Sequence, residues 1–241
     1  MSLELRERLI VPLDFPSADE ALDFVDKMGD IISFYKVGLE LFYAAGPEIV
    51  RHLKSAGKSV FLDSKFHDIP NTVAGATARA VEMRVDMFNV HALGGKAMMR
   101  AAAEATARTA DRLSINPPIV LGVTVLTSLD RETLEKEIGV ALGEGINEFV
   151  AAKARQAMEA GLKGVVASPH EVVDIRKACG EDFHIVTPGV RPAWASTDDQ
   201  KRVATPSEAM RMGADRIVVG RPITRADNPI EAAKRIIDEI S

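Results

Sequence analysis

A chain of 241 residues with 46 % apolar and 27 % charged side chains can bury a substantial core, and it is long enough for one barrel of ~250 residues or for two small domains. Its net charge of −5 argues against general binding to nucleic acid or acidic membranes, so positive charge that meets an anionic ligand must be local. One cysteine, Cys179, excludes an intrachain disulfide framework, and no apolar run approaches the ~18 residues of a membrane span.

The opening MSLELRERLI alternates charged and apolar residues and lacks the apolar core of a secretion signal, which predicts a cytoplasmic protein. Short apolar runs of β type then follow one another, each succeeded by a helical pattern. They cover 9–14, 32–38, 58–65, 85–91, 118–126, 164–168, 183–189 and 216–221. Near-continuous apolar runs suit parallel strands buried on both faces. Helix starts are marked by Ser17 with Glu20, Ser168-Pro169 with Glu171, Thr205-Pro206 with Glu208, and Asn228-Pro229 with Glu231. The last helix sets Ile230, Ala233, Ile236, Ile237 and Ile240 on one face. A longer connection, 128–145, is expected to hold a short extra helix over 131–138. Eight β-then-α units without a composition break predict one α/β domain over 1–241, a (β/α)8 TIM barrel. An open doubly wound sheet would want a glycine-rich turn after the first strand, and Asp14-Phe15-Pro16-Ser17 has no glycine.

Barrel active sites lie at the C-terminal ends of the strands. Asp14, Lys36, Asp63, Lys65, Asp68, Thr127, Ser128, Pro188, Arg191, Gly220 and Arg221 all fall there or just beyond. Asp63 and Lys65 are two apart and so share a face, ~7 Å apart along the strand. Each charge alone is as compatible with a structural ion pair as with catalysis, but four at the strand ends of one barrel favour catalysis. His67 invites a general-base reading, yet alternation points it away from Lys65, which leaves it a supporting role. Gly220 would let backbone approach an anion and Arg221 would fork onto phosphate, at the strand seven and eight phosphate site that recurs in such barrels. The polar stretch 187–202 is either a lid or an ordinary surface loop, and Trp194 within it either covers a ligand or packs locally. Asn89 and His91 lack partners at metal-ligand spacing, so packing roles are expected and no metal is assigned.

The pattern Asp63-x-Lys65-x-x-Asp68-Ile69-Pro70-x-Thr72 resembles the signature of the orotidine 5′-phosphate decarboxylases. LDFPS at Leu13, KVGLELF at Lys36, NVHALGG at Asn89, VTVLTS at Val123, VTPGVR at Val186, DDQKRVATP at Asp198 and VVGRPIT at Val218 extend the resemblance to the bacterial form over essentially the whole chain. It implies cofactor-free conversion of orotidine 5′-monophosphate to UMP and CO2, the last step of de novo UMP synthesis. Lys65 would protonate C6, Asp63 would face the departing carboxylate, and Lys36 would orient the network and touch the ribose. Asp14 would bind a ribose hydroxyl, Thr127 and Ser128 the pyrimidine, and Arg191, Gln200, Gly220 and Arg221 the phosphate, with Pro188 also among the substrate-binding residues. Asp68 and Thr72 would reach into the partner's site in a homodimer. Two other readings remain: a Mg2+-dependent sugar-phosphate decarboxylase of the same suprafamily, in which an acid is expected where Lys36 stands, and a non-catalytic phosphate-binding barrel.

Overall fold

In the computed structural model, which describes residues 3–143, 145–195 and 204–241, all eight apolar runs form strands. They are β1 (Leu9–Pro12), β2 (Phe34–Val37), β3 (Ser59–Phe66), β4 (Met87–His91), β5 (Ile119–Val123), β6 (Gly164–Val166), β7 (His184–Thr187) and β8 (Arg216–Val218). Each pairs in parallel with its sequence neighbours, and β1 pairs with β8, so the sheet closes into a barrel with helices between the strands. This is a (β/α)8 barrel, as expected. Six of the expected strands overrun the observed ones at their C-terminal ends, where the chain leaves the ladder and the polar side chains begin, whereas β3 runs one residue past its expected end and β4 stops where expected.

Two apolar layers hold the barrel. The larger lies between strands and surrounding helices, and includes Val11, Tyr35, Leu62 and Phe88 from the outward faces of the strands. The smaller fills the interior with Ile10, Phe34, Phe61, Met87, Leu121, Val186 and Val218, one residue from each strand except β6. At β6, Gly164 leaves no room for a side chain: a Cβ there would lie 2.3 Å from the His184 carbonyl oxygen and 2.8 Å from Leu121 Cδ2. Side chains two apart share a face of a strand. The next inward positions above this plug are therefore Pro12, Lys36, Asp63, Asn89, Val123, Pro188 and Gly220. The apolar floor and the polar mouth are thus one pattern read along the same strands.

The helix starts behave as their chemistry requires. Reciprocal capping boxes form at Ser168/Glu171 and Thr205/Glu208, and Asn228 Oδ1 accepts the Glu231 N–H at 3.2 Å. Ser17 accepts the Glu20 N–H at 3.3 Å, but its hydroxyl, rather than its backbone, meets the Glu20 carboxylate. The extra helix after β5 is a single π-helical turn, Thr133–Glu137. Cys179 ends helix Val172–Cys179 half-buried, and burial pushes its thiol up, away from the reactive thiolate. No helix among the described residues is long and apolar enough to cross a membrane.

Candidate active site

Lys36, Asp63 and Lys65 converge at the C-terminal mouth. Lys36 Nζ lies 3.2 Å from Asp63 Oδ2 and 3.3 Å from Asp14 Oδ1, and Lys65 Nζ lies 2.7 Å from Asp63 Oδ1. The charges alternate across three strand ends in the order Asp14, Lys36, Asp63, Lys65. Asp63 and Lys36 keep only 12 % and 13 % of their side-chain surface, whereas Asp14 keeps 64 %. Two unit charges ~3 Å apart attract by about 5 kcal/mol at an effective dielectric of ~20, but desolvation costs several kcal/mol per ion. The network is therefore close to neutral for stability, and what it fixes is placement. Burial pushes the Asp63 carboxyl up. Lys36, Lys65 and the hydrogen bonds from Lys65 and Asn89 outweigh that and hold it below the ordinary carboxylate range.

β3 does not reach this geometry by simple alternation. Phe61 and Leu62 pair with Met87 and Phe88, and pairing resumes only at Phe66 opposite Val90, so residues 63–65 bulge over Asn89. Lys65 sits in the left-handed region at φ 49, a conformation that costs a non-glycine residue about 1–3 kcal/mol. The bulge lets the Lys65 ammonium fold back onto Asp63, in place of the ~7 Å offset of a regular strand. His67 lies beyond the bulge, exposed, with its ring 5.3 Å from that of His91 and away from the Lys65–Asp63 contact. His91 is held below its usual pKa by burial first, then by His67 and Lys65.

Asp68 does not join this network within the chain. It is exposed, its Oδ1 accepts the Ile69 N–H at 2.6 Å, and no ion pair links it to Lys65 among the described residues. Thr72 is exposed two residues into helix Pro70–Glu82. Between them Ile69 shows 66 % of its surface.

Beside the network lies a cavity of about 150 Å3. Lys36, Asp63 and Lys65 line one side; Val123, Val125, Thr127, Val166 and Pro188 are among the residues of the other. Ser128 is exposed one residue beyond Thr127 and does not line it. A second cleft, of about 300 Å3, opens where the chain leaves β7 and β8, and Arg191, Arg221 and Arg225 all line it. No acidic residue is among the described residues that line it. Arg225, one turn after Arg221, escaped the sequence reading, because nothing in its surroundings marks it apart from a surface arginine. Gly220 has a packing reason beyond ligand approach: a Cβ would stand 2.9 Å from Pro12 Cγ where β8 closes on β1. Arg191 is 4 % exposed, and its backbone N–H donates to the Ala204 carbonyl at 2.9 Å, which ties the two ends of the 192–203 segment together. Trp194 stacks on Arg235, with the guanidinium carbon 4.4 Å from the ring centroid, and also lines the arginine cleft. Trp194 thus has both a packing partner and a place in the cleft wall. Gln200 lies outside the described residues, as does the 196–202 part of the expected lid.

A parallel barrel whose strand ends carry paired cations and carboxylates above an apolar plug, next to an arginine-lined cleft, belongs to the (β/α)8-barrel enzymes. Residues 7–236 match the family described as Orotidine 5′-phosphate decarboxylase / HUMPS family. The chain belongs to that family. It is 52 % identical over 238 residues to the orotidine 5′-phosphate decarboxylase of Moorella thermoacetica, covering 99 % of this chain and 94 % of that one. It is 49 % identical to that of Syntrophomonas wolfei subsp. wolfei, with 99 % of each chain covered. The crystal structure of orotidine 5′-phosphate decarboxylase from Lactobacillus acidophilus is similar at a TM-score of 0.86 and 37 % identity, covering 97 % of this chain and 98 % of that one.

Proposed function

We propose that this chain, as one domain over 1–241, decarboxylates orotidine 5′-monophosphate to UMP and CO2, the closing step of de novo UMP synthesis, in the cytoplasm. The observation that carries the reading is the Lys36–Asp63–Lys65 network standing over a cavity smaller than the ~300–1,000 Å3 that takes a drug-sized ligand. Such a space suits one heterocyclic ring. The phosphate end would then lie in the arginine cleft, held by Arg191 and Arg221 with Gln200, close to the Gly220 backbone. Thr127 and Pro188, which line the cavity, would face the ring, and Asp14 and Lys36 the ribose.

The reaction breaks the bond from C6 to the carboxyl carbon and leaves the electron pair on C6, with no conjugated sink for it. The Lys65 ammonium stands where that charge develops and transfers its proton to C6; solvent then reprotonates the neutral amine. Asp63, held ionised, would face the substrate carboxylate, so that their repulsion falls away as CO2 leaves. No cofactor is required. Reactions this slow in water demand accelerations up to ~10^17, or ~23 kcal/mol, part of which must come from binding the remote phosphate. The direct test is incubation with orotidine 5′-monophosphate, followed by loss of ultraviolet absorbance; absence of turnover rejects the reading.

The arginine cleft sets a second expectation. Arg221→Ala should lower kcat/KM by about 3 kcal/mol, roughly 150-fold, because a charge-assisted fork to phosphate is lost. Arg225→Ala leaves Arg191 and Arg221 in the cleft and should cost less. Unchanged kcat/KM in Arg221→Ala would move the phosphate elsewhere.

The competing metal-dependent chemistry meets a geometric obstacle. Lys36 Nζ occupies the gap between the Asp14 and Asp63 carboxylates, the natural place for a divalent cation at this mouth. Activity should therefore persist after exhaustive treatment with EDTA. Loss on chelation and recovery with Mg2+ would favour the sugar-phosphate alternative.

We further propose a homodimer in which Asp68 and Thr72 serve the partner's site. The exposed Asp68-Ile69 tip, unattached to its own network, supports this reading.

A further inference from the structure

We propose that Asn89 is the positioning residue that holds Asp63 and Lys65 in their reactive arrangement; this inference rests on the decarboxylase reading above. Asn89 is fully buried on β4 beneath the bulge of β3. The bulge removes the regular ladder partner of the Lys65 N–H, and Asn89 Oδ1 accepts that N–H at 2.7 Å. The Asn89 amide nitrogen donates to Asp63 Oδ1, also at 2.7 Å, and this is the oxygen that Lys65 Nζ contacts. A single amide therefore satisfies the backbone of the left-handed lysine and the carboxylate that receives its side chain.

The orientation of the amide is not arbitrary. A backbone N–H can only donate and an ionised carboxylate can only accept, so one flip state satisfies both partners and the other satisfies neither. Asn89 is thus matched to an ionised Asp63. On the other flank β5 presents apolar Leu121 opposite Asn89, which offers no substitute donor or acceptor. Removing the amide would leave the Lys65 N–H unpaired and release Asp63 to rotate, displacing the ammonium without deleting it. A displacement of ~1 Å at a reacting group costs on the order of a hundredfold in rate.

Asn89→Asp separates positioning from mere packing, because a protonated carboxyl has the shape and the hydrogen-bonding pattern of the amide. Its carbonyl oxygen can accept from Lys65 and its O–H can donate to Asp63. Once ionised, it sets a second negative charge against Asp63 and loses the donor. The groups facing this position are Asp63 and Lys65 on β3, Lys36 on β2 through Asp63, His91 two residues along β4, and His67 packed against His91. All of these are present in the wild type too, so the readout is the ratio of variant to wild-type kcat at each pH.

That ratio is expected near one hundredth at pH 8 and within about tenfold of unity at pH 5.5, with KM changed much less. A ratio independent of pH would overturn the proposal. Asn89→Ser, which keeps one small hydroxyl, guards against misfolding of the first variant. Its kcat should fall about a hundredfold with KM within threefold, and an unchanged kcat would equally overturn the proposal. Thermal unfolding of wild type and Asn89→Asp at the same two pH values tests the clamp without turnover. The gap between their melting temperatures should narrow as pH falls, and a constant gap counts against Asn89. If wild type shows no turnover, the decarboxylase reading fails, while the unfolding comparison still decides whether Asn89 clamps Asp63.

Discussion

Lys65→Ala is expected to bring turnover of orotidine 5′-monophosphate down to background while the protein still folds. The Lys65 ammonium lies 2.7 Å from Asp63 Oδ1, and in the proposed reaction it supplies both the stabilising charge and the proton. Neither can come from Lys36, which is engaged between Asp14 and Asp63 Oδ2. Folding should survive for three reasons. The apolar plug and outer core do not involve Lys65. Asp63 keeps Lys36 and the Asn89 amide. The mouth is also open enough for water to replace the lost ammonium. A loss of about 1–2 kcal/mol, a few degrees in Tm for a chain of this size, is the expected ceiling. Decarboxylation and thermal unfolding should be measured on the same preparation. Activity within tenfold of wild type, with Tm retained, would reject Lys65 as the proton donor. Loss of both would mean that the variant had not tested the chemistry.

The architecture was legible because both faces of each strand are buried, which makes apolar runs such as 58–65 and 216–221 stand out between helical patterns. The period of two also carried most of the site. Lys36 lies two residues beyond Phe34, and Asp63 two beyond Phe61, so charge follows plug along the same inward face. What failed was the assumption that the period continues. β3 gains a bulge after Leu62, and no glycine announces it, since the left-handed position is occupied by Lys65 itself. The contact between Lys65 and Asp63, the place of His67 beside His91, and the role of Asn89 all depend on that bulge. Asn89 looked like a packed strand residue because its two partners lie 24 and 26 positions away in sequence. Arg225 was missed for a related reason: beyond Arg221, one turn before it, its partners in the cleft are Arg191, Trp194 and Ala195 from another loop, and residue spacing carries no trace of them.

Mixing two inactive variants should restore activity if the proposed homodimer shares its sites. Lys65 stands at the mouth of its own barrel, whereas Asp68 stands on an exposed tip beside Ile69, with no ion pair to Lys65 among the described residues. An apolar side chain exposed next to an exposed carboxylate suits a surface covered by a second copy, in which Asp68 would complete the neighbour's charge network. Lys65→Ala and Asp68→Asn should then each be nearly inactive as homodimers. In a mixed dimer one site collects both defects, and the other receives intact Lys65 from one chain and intact Asp68 from its partner. Random pairing makes about half of all dimers mixed, each with one good site of two, so roughly a quarter of wild-type activity should return under two-fold symmetry. Either variant taken alone through the same exchange should gain nothing. Subunit exchange is checked by mass spectrometry. If mixed dimers form and activity does not rise, Asp68 works within its own chain, and the loop that carries it must then fold back over Lys65 when substrate binds.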